Sequence, residues 1–187
     1  MRPQKVLDIE ILTSLTKVFR AKGYEGASLK DLSDATGLKK ASLYHRFPNG
    51  KKEMAEAVLN HIDVWVKAHI FQALNNTENT AEVRLKNALK EVRNLYDKGN
   101  ETCVLRALSM QSSLELFGSH IESAMTEWIT VFTKFGTDIN LTPEIAKAKA
   151  IQTLIEIQGS LIVCKGLNNI ALFENTLKHI ENNYLKH

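Results

Sequence analysis

Proline and glycine are scarce in this chain, three and nine among 187 residues. So few breakers leave room for long helices, and valine, isoleucine and threonine form no alternating runs that would read as strands. Cysteine is scarcer still. Cys103 and Cys164 form no CxxC pair and are too few for a disulfide framework, which points to a reduced, cytoplasmic compartment. No apolar run approaches the roughly 20 residues of a membrane span. Asp8 and Glu10 interrupt the start, "MRPQKVLDIEIL", where a signal peptide would need an unbroken apolar stretch. GxSxG, HExxH and phosphate-loop motifs are absent, and the six histidines show no ligand spacing. These gaps exclude the common enzyme, secreted and membrane classes. No catalytic, cofactor or metal residue is expected, and no membrane partner.

What is present is 44% apolar residues, enough for a real core. The fold class expected is all-α. The charge is divided unevenly: residues 1–56 hold 11 lysines and arginines against 7 aspartates and glutamates, and the remainder holds 13 against 14. A basic head on a near-neutral body suggests a polyanion partner for the head alone.

Helical spacing of Ile9, Leu12, Leu15, Thr16 and Phe19 predicts a first helix from about Val6 to Lys22, stopped by Gly23. A second begins at Ser28, an N-cap helped by Asp31 three residues on, and ends at Gly37. The third takes Lys39 to about Arg46, ended by Pro48. Two short helices joined at Gly37 make a helix-turn-helix. Within "KKASLYHRFPNGKK", residues 39–52, five cations occur with no carboxylate, yet Leu43 and Phe47 share an apolar face. Ala41 and His45 lie opposite that face, with Ser42 and Tyr44 on the flanks. Lys39 and Lys40 stand at the helix start, and Lys51 and Lys52 beyond the turn. An inward apolar face, a small and hydrogen-bonding outward face and a cationic rim suit a helix that enters the major groove of double-stranded DNA.

The stretch "ILTSLTKVFRAKGYEGASLKDLSDATGLKKASLYHRFPNGKKEM", residues 11–54, resembles the N-terminal domain of the TetR family of transcriptional regulators. Ile11-Leu12, Phe19, Gly23-Tyr24, Ser28, Leu32, Gly37, Leu43-Tyr44 and Phe47 carry the likeness, over about a quarter of the chain. Two departures stand out: Lys39 replaces a serine cap, and the loop "FPNGKKEM" is a residue longer than the commonest form. That loop resembles "FPGGKEEL" of the LmrA-like branch. By resemblance, Tyr44, Ser28 and one of Lys51 or Lys52 contact phosphates. Lys40, Ala41, Ser42 and His45 face base edges, and Lys30 takes the base-reading position of the second helix. The domains expected are a DNA-binding head, 1–50, and an effector-binding and dimerisation body, 51–187.

The body reads as about six helices, which makes about nine in all. The first runs from about Lys51 to Leu74, with a second over 81–97 and a short one from Cys103 to Gln111. A long aromatic stripe then extends through Phe135, closed by Gly136. "TPEI", residues 142–145, starts a helix with Thr142 as cap and Pro143 at its first position. It runs to about Gly166 and is apolar nearly all round, so one face suits the subunit's own core and the other a partner. The resemblance implies that the last two helices form a homodimer interface; Ile155, Gly159, Ile162, Phe173, Leu177 and Ile180 are its candidates. It also implies a small-molecule effector site, with Trp65, Phe117, Met125, Trp128 and Phe132 as lining and His61 and Gln158 as polar anchors. Gln158, an amide in a nearly all-apolar helix, wants a partner across the dimer or on a ligand.

The function expected is a ligand-responsive repressor that binds a palindromic operator as a dimer and is released by a small, largely apolar or aromatic effector. The rival readings are an architectural DNA-binding protein without an effector, and an all-α enzyme with a hidden catalytic carboxylate.

Overall fold

The computed structural model describes residues 4–110 and 112–186. Among these there are nine helices and no strand. They are α1 (Gln4–Gly26), α2 (Leu29–Thr36), α3 (Lys40–Arg46), α4 (51–75), α5 (Ala81–Leu95), α6 (Val104–Ala107), α7 (Ser113–Asp138), α8 (Pro143–Leu167) and α9 (Ala171–Leu185). The all-α expectation holds. None of the helices described is long and apolar enough to cross a membrane. The chain divides into two compact units: the first runs to Val64 and includes Val104–Ile121, and the second takes Trp65–Cys103 and the residues from Glu122 onward.

In the first unit, α1 is interrupted at Gly23, whose φ of 68° and ψ of −177° only glycine adopts without strain. A Cβ there would lie 3.2 Å from the carbonyl oxygen of Ala107, so glycine also permits the approach of α6. Ile11, Leu15 and Phe19 from α1 meet Leu32, Leu43, Phe47, Met54 and Val58 in one buried core. Each such side chain contributes about 1.5–3 kcal/mol when fully buried. Tyr24 presents its ring to the edge of Phe117 from α7, with centroids 5.1 Å apart.

In the second unit, α4 continues through a π-helical turn, Lys67–Phe71, in which the consecutive residues Ile70 and Phe71 are both buried. Trp128 stacks on Phe132 with centroids 6.0 Å apart and meets Phe71 edge-on at 5.6 Å. Arg84, 6% exposed, donates from Nε to the carbonyl of Leu74 and from Nη2 to the carboxylate of Asp138, each at 2.6 Å. That guanidinium also lies over the ring of Phe135. α8 begins as its sequence demands: the Thr142 hydroxyl accepts from the Ile145 amide and Pro143 occupies the first turn.

Several boundaries differ from the sequence reading. The helix expected over 103–111 is only Val104–Ala107, and Gln111 lies outside the described residues. Gly136 does not close α7, which continues to Asp138. A Cβ on Gly136 would sit 2.8 Å from that of Ala146, so this glycine lets α8 pack closely and stops nothing. α8 ends where expected to within a residue, at Leu167, with Asn168 left-handed at φ 49°.

Candidate nucleic-acid interface

The turn between α2 and α3 is built from local chemistry. Ser28 caps α2 in a reciprocal box: its hydroxyl accepts from the Asp31 amide, and the Asp31 carboxylate accepts from the Ser28 amide. Lys22 of α1 reaches the same carboxylate at 2.5 Å. The lysine and the Ser28 donors hold the Asp31 carboxyl well below the usual carboxylate range. Gly37 then turns the chain at φ 68°, ψ 9°. The Ser33 hydroxyl donates to the Leu38 carbonyl at 2.5 Å, so the turn's backbone is satisfied by the helix before it. Lys39 is the N-cap of α3 and makes no side-chain cap bond, as expected where a serine is replaced.

Of α3, only Leu43 is fully buried; Phe47 follows it inward at 7% exposure. Lys40, Ala41, Ser42, Tyr44 and His45 are all exposed, as are Ser28, Lys30 and Lys39. Leu38, Ala41, Ser42, His45 and Arg46 border an open groove of about 900 Å³, closed on its far side by Asp8 and Leu12 of α1 and Ala57 of α4. Arg46 pairs with Asp8 across it. The sequence reading gave neither Asp8 nor Arg46 a place at the site, because their pairing joins residues far apart in the chain. Lys30 is not a free cation: it pairs with Asp34 at 2.5 Å, and that hydrogen bond raises its pKa.

The long loop after α3 is accommodated by Gly50. Its φ of 67° and its amide bond to the Phe47 carbonyl close a tight turn, and a Cβ would meet the Tyr44 ring at 3.3 Å. Beyond it, the structure separates the two lysines that the sequence left as alternatives. Lys51 turns inward: Nζ donates to the Tyr24 carbonyl at 2.8 Å and lies over the Tyr24 ring. Its ammonium is committed to its own chain. Lys52 is exposed, with only a loose contact to Glu56 at 3.7 Å.

The residues suggested for an effector site are divided between the two units. Phe117 belongs to the first unit, against Tyr24, and His61 is half-buried there, where burial lowers its pKa. Trp65 stacks on His69 at 4.4 Å, Met125 is half-buried, and Trp128 and Phe132 fill the second unit's interior against each other. Gln158 has a partner that neither expected alternative named: its amide donates to the Tyr96 hydroxyl at 3.3 Å, within the subunit. Among the described residues, no group of three or more His, Cys, Asp or Glu could hold a metal ion.

The interface candidates also divide. Ile155 and Ile162 are 57% and 52% exposed, and nothing approaches a Cβ placed on Gly159. Phe173, Leu177 and Ile180, by contrast, are buried against the second unit's own core and are not available to a partner. This corrects the reading of α9: its regular apolar face is an internal one. The outward stripe lies on α8, where Ile151, Val163 and Leu167 join Ile155 and Ile162.

Comparison with known proteins falls on the same geometry. The family model for bacterial regulatory proteins of the tetR family matches residues 11–58, from α1 into α4. An uncharacterized HTH-type transcriptional regulator in the lacX 3′ region of Lactococcus lactis subsp. lactis is 25% identical over 95% of this chain and 92% of its own length. The HTH-type transcriptional regulator LmrA of Bacillus subtilis (strain 168) is 24% identical over 82% of this chain and 84% of its own. Among solved structures, a TetR transcriptional regulator from Legionella pneumophila superposes with a TM-score of 0.80 at 19% identity, covering 94% of this chain and 95% of that one. The regulator CifR, as a cysteine mutant complexed with 26-bp double-strand operator DNA, has a TM-score of 0.69 at 20% identity, covering 91% and 95%. Residues 11–58 thus match the model of bacterial regulatory proteins of the tetR family, and along most of its length the chain is similar to HTH-type transcriptional regulators and shares the fold of solved TetR regulators.

Proposed function

We propose that the protein is a cytoplasmic repressor that binds a palindromic operator as a homodimer and is released by a small, largely apolar or aromatic effector. The observation that carries the reading is α3. It keeps Leu43 inside and leaves Lys40, Ala41, Ser42, Tyr44 and His45 exposed, small next to cationic, on a helix whose backbone can approach a groove closely. The head, residues 1–50, supplies the DNA contacts, and residues 51–187 supply pairing and effector binding. Lys40, Ala41, Ser42 and His45 read base edges. Ser28, Lys39, Tyr44 and Lys52 position the head on phosphates, and Lys30 joins them once Asp34 releases it.

The exposed stripe of α8 supports pairing of two chains. A groove of about 540 Å³ between α8 and α9, bordered by Ile155, Gly159, Val163 and Leu172, offers room for the same stripe of a second copy. Pairing gives two recognition helices about one DNA turn apart, roughly 34 Å, which one short helix needs to read enough bases. Effector control follows if the ligand prefers the conformation that DNA does not.

The test is a selection of duplexes from random DNA by the purified protein, followed by titration of the recovered site. A palindrome bound by two chains is expected. Recovery of sequences without two-fold symmetry, bound by one chain, would contradict the proposal. A compound screen by thermal shift then seeks one that both stabilises the protein and releases the duplex.

A further inference from the structure

A second cavity lies within the first unit, away from α3. It has a volume of about 380 Å³ and forms where the end of α1 meets α6 and the start of α7. That size falls within the roughly 300–1,000 Å³ of small-molecule sites. Its wall carries three cations, Arg20, Lys22 and Arg106, against one carboxylate, Glu25. The carboxylate is already engaged, accepting from the Ser112 hydroxyl, and Lys22 spends part of its charge on Asp31. Arg106 is exposed and forms no ion pair among the described residues.

We propose that this cavity binds a small anion through a phosphate or carboxylate group, with Arg106 as its principal ligand. Cations that share a concave wall focus positive potential into it, and a guanidinium offers paired donors in the geometry that both oxyanions accept. Tyr24 borders the same wall. Burial, then the charges of Glu25 and Glu56, push its pKa up, so it keeps its proton. The seam is tightly built, since Gly23 admits the Ala107 carbonyl at close range and Lys51 grips the Tyr24 carbonyl. An occupant would therefore tie α1 to the 104–113 segment. This site is separate from the apolar effector site proposed above and does not rest on that function.

The experiment uses the full-length protein without DNA. Thermal unfolding is followed against rising potassium phosphate and, separately, sodium benzoate, each compared with potassium chloride at equal ionic strength. Saturable stabilisation by at least one of the two is expected, phosphate alone marking a phosphate site and benzoate alone a carboxylate site. Arg106→Ala should weaken the apparent affinity by about tenfold or more, the loss expected of one charge-assisted contact. Arg106→Lys should keep part of it, and Lys178→Ala, an exposed lysine on α9, should leave it unchanged. Arg106 is exposed, so these variants should fold. The proposal is overturned if neither anion stabilises beyond chloride, or if Arg106→Glu retains the effect.

Discussion

Changing Ile155 to glutamate should split the proposed dimer and leave the subunit folded. Ile155, Ile162, Val163 and Leu167 are 57%, 52%, 47% and 68% exposed, so about half of each side chain is left for a partner to cover. At about 1.5–3 kcal/mol for a whole aliphatic side chain, half is worth about 1 kcal/mol. Two-fold pairing doubles it, giving about 2 kcal/mol per position and about 8 kcal/mol for the stripe. Ile155→Glu loses its own share and adds about 1–3 kcal/mol for each carboxylate buried without a partner. The total of at least about 4 kcal/mol is a thousandfold or more in dissociation constant. Sedimentation equilibrium at micromolar concentration reads this directly, and far-UV circular dichroism checks that the helices remain. Ile157→Glu is the contrast: two residues on and fully buried, it should unfold the chain. A variant at 155 that dimerises as tightly as the wild type would refute the assignment of this face.

Lys52→Ala should weaken association with every duplex and reduce the salt slope by about one unit per bound subunit, whereas Lys51→Ala should cost stability and leave the slope alone. Anisotropy titrations over a range of salt distinguish the two. Asp34→Ala frees Lys30 and removes a negative charge beside it; operator affinity should rise about 2–5-fold with a steeper slope, and an unchanged slope would show that Lys30 never reaches phosphate. Asp138 has its carboxyl held below its usual pKa, chiefly by the Arg84 hydrogen bond. A depressed carboxylate contributes fully above its unfolded pKa of about 4, and the contribution is lost as pH falls from there towards the folded value. Arg84→Met should therefore flatten that acid loss in a pH series of denaturant melts, and a parallel loss in wild type and variant would sink the linkage.

What the sequence disclosed was what local rules determine. Ser28, Gly37, Thr142 and Pro143 act on neighbours within four residues, so the turn and the start of α8 could be placed without coordinates. Lys51 could not be separated from Lys52 because its acceptor is a carbonyl 27 residues away. The resemblance placed Phe173, Leu177 and Ile180 against a partner, and nothing in their spacing told that they enter the chain's own core. Gly136 reads alike as a helix stop or as a close approach until Ala146 is seen against it. Gln158 was singled out for the right reason, a polar group that needs a partner, yet Tyr96 lies 62 residues away and no spacing announces it.

The central claim, that exposed residues 40–45 of α3 enter the groove of double-stranded DNA, is tested most directly by titrating the purified protein with its selected duplex between about 50 and 200 mM salt. The account predicts two chains per duplex, a linear fall of log affinity with log salt, and for His45→Ala a change in preference among related sites. Association that is absent, or indifferent to both salt and sequence, would contradict it.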